Sequence, residues 1–200
     1  LRQMMAPGVA DSTATVVAGE LGGVPAFLIT PPDARQGWVQ LDIHGGALVM
    51  GGGDNCRIMG LRAAARAGMV TWSVDYRMPP DHPYPAPLDD CLAAYRALLR
   101  EHPADRIVVE GGSAGGNLAA ALVLRARDEG LPLPAGLLLM TPELDLTESG
   151  DSFATNLGVD CVLTRRLLPA NLLYANGHDL TDPYVSPLFG DFTRGFPPTL

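Results

Sequence analysis

The sequence predicts an α/β fold with a parallel sheet covered by helices on both faces, and three observations lead there. Short apolar runs that read as strands alternate with stretches of helical periodicity from Trp38 to Met140. One of these strands runs without a loop into Gly111-Gly112-Ser113-Ala114-Gly115-Gly116, after which a helix begins. Glycine (23) and proline (18) are plentiful and follow no repeat, as many tight connections between short elements require.

Taken in order, Thr13 to Ala18 and Val24 to Ile29 read as strands joined at Gly22-Gly23, a hairpin signal, and Pro31-Pro32-Asp33 closes the second. Trp38 to Ile43 is a strand ending at His44-Gly45-Gly46. After Gly51-Gly52-Gly53, Asp54 is expected to cap a helix with Ile58, Leu61 and Ala65 on its apolar face, and Gly68 to end it. Met69 to Val74 reads as a strand and Met78 to Pro87 as a proline-rich connector. Leu88, Leu92, Tyr95 and Leu99 recur at helical spacing, with Asp89-Asp90 expected to cap that helix. Ile107 to Val109 is a buried strand, Asn117 to Arg127 a helix apolar nearly all round, and Leu137 to Met140 a strand stopped by Pro142. From about Glu143 to Asp191 the alternation lapses, and this stretch, with a helical piece at Arg165 to Tyr174, reads as an insertion over the sheet. Phe196 to Leu200 looks like the start of another buried strand, so the last strands are expected to lie beyond Leu200. Residues 1–200 are read as one domain, incomplete at its C-terminus.

The formal charge of -8 and the lack of a basic stripe make nucleic acid an unsuitable partner. Apolar stretches such as Leu118 to Leu124 are much shorter than the roughly 20 residues that span a bilayer, and the first residues lack a signal-peptide layout. Cys56, Cys91 and Cys161 are widely spaced without a C-x-x-C pair and read as reduced thiols, with neither a disulfide nor a metal site expected. A cytoplasmic location follows as the expectation.

Gly111-Gly112-Ser113-Ala114-Gly115 matches G-x-S-x-G between a strand and a helix, the setting of a nucleophile elbow. The turn is so sharp that side chains at Gly111 and Gly115 are expected to strike the backbone, and it lifts the Ser113 hydroxyl out of the sheet. The bare pattern leaves open a closely packed glycine turn, or phosphate binding at a helix N-terminus, although no Lys follows the glycines as in a P-loop. Attack by a serine on an acyl carbon creates an oxyanion that needs amide donors already aimed at it. Gly45 and Gly46, with Ala114 just after the serine, supply three such amides. His-Gly-Gly alone reads as a tight loop; paired with the elbow, in that order, it reads as an oxyanion hole.

Four stretches now stand together: His44-Gly45-Gly46-Ala47, Asp75 to Ala86, Gly111 to Ala119, and Asp182 to Leu188. Their order and spacing along nearly the whole chain resemble the hormone-sensitive-lipase-like family of bacterial esterases. The resemblance implies an α/β-hydrolase fold, mostly parallel, with a helical cap formed by about residues 1–12 and 146–187. It implies hydrolysis of short-chain carboxylic esters, with lactones as a second class, and no cofactor. Ser113 then matches the nucleophile, Gly45, Gly46 and Ala114 match the oxyanion hole, and His44 matches a residue that shapes the loop and is not the base. Two positions depart from the family: Ala47 replaces a third glycine, which alanine accommodates if its φ is negative, and Gly112 replaces the acidic residue common before the serine.

In this fold the triad follows the order Ser, Asp or Glu, His, so the acid and histidine are expected beyond Leu200. Of the histidines present, His44 belongs to the loop, His82 to the connector and His102 to a helix tail, while His178 alone follows the serine within the insertion. Asp145, just past a core strand, reads either as an acid placed one strand early or, the favoured reading, as a cap or brace for the start of the insertion. The leading reading is a serine carboxylesterase with a small-molecule ester substrate, and a homo-oligomer is compatible with it. A non-catalytic small-molecule-binding protein on the same scaffold is the alternative, and amidase or peptidase chemistry would use the same apparatus.

Overall fold

The computed structural model describes residues 13–163 and 166–200. Six strands form one sheet in the order β1-β2-β4-β3-β5-β6: β1 (Thr15–Leu21), β2 (Val24–Thr30), β3 (Val39–Ile43), β4 (Val70–Val74), β5 (Ile107–Gly112) and β6 (Gly136–Met140). The β1–β2 hairpin joins β4 antiparallel, whereas β4, β3, β5 and β6 are mutually parallel. Residues 198–200 continue the sheet beside β6, with Leu137 N donating to Pro198 O (2.9 Å) and Leu200 N to Leu137 O (3.0 Å), so the strand read at Phe196 to Leu200 does enter the sheet.

Helix α1 (Asp54–Ala67) packs on one face, where Ile29, Leu61 and Ala64 form a small core. Helices α2 (Ala86–Glu101) and α3 (Ala114–Asp128) share the opposite, larger core with Leu41, Ile43 and Val109. Leu118, Leu122 and Leu124 of α3 are fully buried, each stabilising the fold by about 2 kcal/mol relative to exposure. The α1 side differs chemically: the alternate strand positions there are the buried polar residues Gln40, Asp42, Ser73 and Glu110.

Several local expectations are corrected. Asp54 is the first residue of α1 and pairs with Arg57, while Gly53 holds the cap position. The buried face of α1 is Cys56, Gly60, Leu61, Ala63 and Ala64, leaving Ala65 exposed and Ile58 half-buried. Asp89 and Asp90 lie inside α2, beyond its Pro85 cap position, and bind the tertiary partners Arg125 and Arg77. Helix α3 begins at Ala114, three residues earlier than read, because Ser113 already occupies its cap position.

The stretch after β6 contains α4 (Ser152–Thr155), absent from the sequence reading, and α5 (Leu168–Ala175), whose start matches Pro169 in its first turn. The stretch is fastened to the core through buried Leu146, Tyr174 and Val185, and Tyr84 N donates to Tyr174 O at 2.8 Å. The cap contribution expected from residues 1–12 lies outside the described residues, as does Arg165 of the helix read there.

Candidate active site

The elbow is built by close approach. A Cβ on Gly111 would collide with the Gly115 carbonyl, and one on Gly115 would collide with the Ile43 carbonyl on the neighbouring strand. Gly112 is different: its Cβ would meet Met140 Cβ at 3.7 Å, an ordinary contact, so the position admits a side chain. Between them Ser113 takes φ 53 and ψ -122, a conformation costing a non-glycine residue on the order of 1–3 kcal/mol. Its surroundings hold it there: Ser113 N donates to Met140 O (2.9 Å), while Ser113 O accepts from Gly116 N (2.9 Å) and Glu143 N (3.2 Å). The Ser113 side chain is exposed at the N-terminus of α3.

The loop after β3 comes up against this serine. A Cβ on Gly45 would lie 2.7 Å from Gly112 O and 3.3 Å from Ser113 Cβ, so only glycine allows the approach. Gly46, at φ 136, accepts hydrogen bonds from Val49 N (3.1 Å) and Met50 N (3.0 Å), closing a tight turn. Ala47 takes φ 52 and Leu48 φ 62, so the negative φ set as the condition for alanine here is not met. The turn bonds to Gly46 O and the fully buried Leu48 side chain fix this left-handed pair. Among the described residues the amides of Gly45, Gly46 and Ala114 have no acceptor. Three unpartnered N–H groups beside one exposed hydroxyl form a place where negative charge on an oxygen can be held.

Ser113, Gly45 and Gly46 line one cavity of about 350 Å³ with Met59, Met140, Arg62, Arg66, Asp42 and Glu110. Its floor is a buried polar network. Gln40 Nε2 donates to Glu110 Oε2 (2.6 Å), Arg66 pairs with Glu110, and Ser73 Oγ donates to Asp42 Oδ2 (2.7 Å). Burial pushes the Asp42 carboxyl up to about 7; the Ser73 hydrogen bond opposes the rise and the Glu110 charge adds to it.

His44 is buried, its Nδ1 lies 2.9 Å from Gly45 O, and its ring stacks on Tyr76 with centroids 4.1 Å apart. Burial lowers its pKa, which keeps the ring neutral. No hydrogen bond joins Ser113 Oγ to any of the four histidines among the described residues; His178 packs edge-on against Tyr84 in the insertion. Asp145 accepts from Thr147 N and Oγ1 and from Ser149 N and Oγ, so it braces the insertion as expected. Missed by the sequence reading are Glu143, whose amide bonds Ser113 O, and Tyr76, which lay within a quoted motif with no role assigned to it.

One group of possible metal ligands exists among the described residues: His44, Cys56 and Asp75, with ligand atoms within 4.8 Å of one another. Burial pushes the Cys56 thiol up to about 12, and both Asp75 oxygens accept from Gly53 N at 3.0 Å. Cys56, Cys91 and Cys161 are unpaired, and no described helix is long and apolar enough to cross a membrane.

Residues 40–200 match a protein family described as alpha/beta hydrolase fold. An esterase of Acinetobacter venetianus is 41% identical over 162 residues, which cover 79% of this chain and 53% of that protein. An acetyl-hydrolase of Streptomyces hygroscopicus is 34% identical over 203 residues, covering 96% and 68%. Among solved structures, esterase E25 superposes with a TM-score of 0.90 at 38% identity, covering 99% of this chain and 61% of its own. An esterase from the bacterial hormone-sensitive lipase family superposes with a TM-score of 0.89 at 36% identity, covering 94% and 64%. The chain thus spans about half to two thirds of the length of these relatives. The chain belongs to the α/β-hydrolase fold family, and it is similar to esterases of the bacterial hormone-sensitive lipase family.

Proposed function

We propose that the full-length protein hydrolyses short-chain carboxylic esters through an acyl-enzyme on Ser113. The observation that carries this reading is the exposed Ser113 hydroxyl on a strained turn, beside three amides that lack acceptors among the described residues. Ser113 Oγ attacks the ester carbonyl carbon and gives up its proton to a histidine. The carbonyl oxygen becomes an oxyanion facing the amides of Gly45, Gly46 and Ala114. Collapse breaks the bond to the alcohol oxygen, which leaves with the histidine's proton, and water then releases the acid by the same two steps.

The histidine and the acid that orients it are assigned to polypeptide C-terminal to Leu200, in the order acid, then histidine. The greater length of the relatives and the positions of the four histidines seen here support that assignment. The insertion after β6 is assigned as part of a cap over the site, supported by its bonds to the elbow through Glu143 and Asn117. Unpaired cysteines support a cytoplasmic location. Full-length protein should turn over p-nitrophenyl acetate or butyrate, and Ser113→Ala should lower kcat by roughly 10⁴-fold or more. Equal rates for parent and variant reject Ser113 as nucleophile.

A further inference from the structure

We infer that Tyr76 is a positioning residue for the oxyanion hole: its hydroxyl aims the Gly45 amide by holding the carbonyl at the other end of the same peptide bond. The inference rests on the esterase reading and deepens it.

A peptide unit is planar and trans, so its C=O and N–H point in opposite directions and turn together. The Gly45 N–H belongs to the peptide whose carbonyl is that of His44, and the Gly46 N–H to the peptide whose carbonyl is that of Gly45. Tyr76 Oη donates to His44 O at 2.8 Å. His44 Nδ1 lies 2.9 Å from Gly45 O, and a carbonyl oxygen only accepts, so Nδ1 carries the hydrogen of the neutral ring. Each of the two peptide planes is therefore gripped at its carbonyl, one by Tyr76 and the other by His44. This leaves both amide hydrogens directed away from the grips, without acceptors among the described residues.

The two grips are themselves joined. The Tyr76 ring stacks on the His44 ring with an interplanar angle of 11°, and Tyr76 is only 1% exposed. Tyr76 follows β4 by two residues, and β4 pairs directly with β3, which ends at Ile43 before the loop. The sheet thus fixes the distance between the tyrosine and the peptide it holds. Glycine has no side chain to restrain these planes, so without the hydroxyl the Gly45 peptide is free to rotate away from the direction an oxyanion needs.

Tyr76→Phe keeps the stacked ring and removes only the donor, and the test is made in full-length protein. Rates are referred to sites counted by stoichiometric phosphonylation, so that partial misfolding does not enter them. The expected result is a fall of about tenfold in both kcat and kcat/KM for p-nitrophenyl butyrate, with KM within about twofold, since the interaction acts in the transition state. Binding of phenylboronic acid, whose tetrahedral adduct carries an anionic oxygen, should weaken by about the same factor. A variant with parental kcat and boronate affinity, whatever its melting temperature, overturns the role. Ser113→Ala run alongside separates the two levels: if it leaves hydrolysis intact, the acyl-enzyme on Ser113 that this role rests on falls, whereas its inactivity beside a fully active Tyr76→Phe removes only the role of Tyr76.

Discussion

The elbow between β5 and α3 and the insertion that follows β6 adjoin each other, yet different forces hold them. At the elbow the constraint is repulsive: Gly111 and Gly115 sit where no Cβ fits, and Ser113 is pressed into a left-handed conformation by its surroundings. In the insertion the constraint is attractive and polar. Asn171 Nδ2 donates to Glu143 Oε1 (3.1 Å) and Leu146 O (3.2 Å), Leu146 N to Ser186 Oγ (2.9 Å), and Asn117 Nδ2 to Val185 O (3.0 Å). The insertion also leaves apolar side chains in solvent, Val159 at 80% and Val162 at 78% exposure, while nearly all of α3 is buried. Ser113 thus stands on the sterically fixed part, whereas the stretch after β6 is held largely by hydrogen bonds.

Substitutions at the elbow should therefore fail abruptly. Gly115→Ala should cost more than about 4 kcal/mol or prevent folding, because its Cβ would overlap backbone that cannot move independently; urea denaturation of the expressed variant measures this. A Gly115→Ala protein as stable as the parent would break the contrast.

The next largest effect lies in the polar floor beside the elbow. Asp42 is raised to about 7 from an unfolded value of 3.8, so the folded state holds its proton more tightly than the unfolded one. Its contribution to stability is full below about pH 4 and is lost as pH rises through 7, by an upper bound of about 4 kcal/mol. Asp42→Asn should remove that slope, gaining stability over the parent between pH 5 and pH 8 in parallel urea titrations. Identical pH dependence in the two proteins would place the ionisation elsewhere.

Within the insertion, Asn171→Ala should cost about 1–3 kcal/mol by stranding buried partners, lowering the melting temperature while leaving kcat per folded site nearly unchanged. The smallest effect belongs to Gly112→Asp. Its Cβ has room beside Met140, and stability should change by no more than about 0.5 kcal/mol, in contrast to the collapse at Gly115 three residues away.

What was legible in the sequence follows the same division. An apolar strand running into Gly111 to Gly116 announced the elbow because its steric demand is written in residue type, and the contacts at Gly111 and Gly115 match that demand. The parallel strands and the entry of residues 198–200 into the sheet followed from apolar runs for the same reason. Acidic residues misled: Asp54 and the pair Asp89-Asp90 look like local caps, yet Asp89 and Asp90 serve Arg125 and Arg77, partners that no local rule can see. The positive φ of Ala47 is not legible because nothing local reveals that buried Leu48 anchors the turn beyond it. Tyr76 and Glu143 stayed silent because their contacts with His44 O and Ser113 O depend on which strands become neighbours.

The proposed acyl transfer places charge arising on an oxygen bound at Ser113 within reach of the Gly45, Gly46 and Ala114 amides. The most direct measurement is a crystal structure of full-length protein phosphonylated by a p-nitrophenyl phosphonate. Phosphorus is expected on Ser113 Oγ, with its non-ester oxygen within about 3.1 Å of those three nitrogens. A phosphonyl group on another residue, or one whose oxygen turns to solvent away from Gly45 and Gly46, would contradict it.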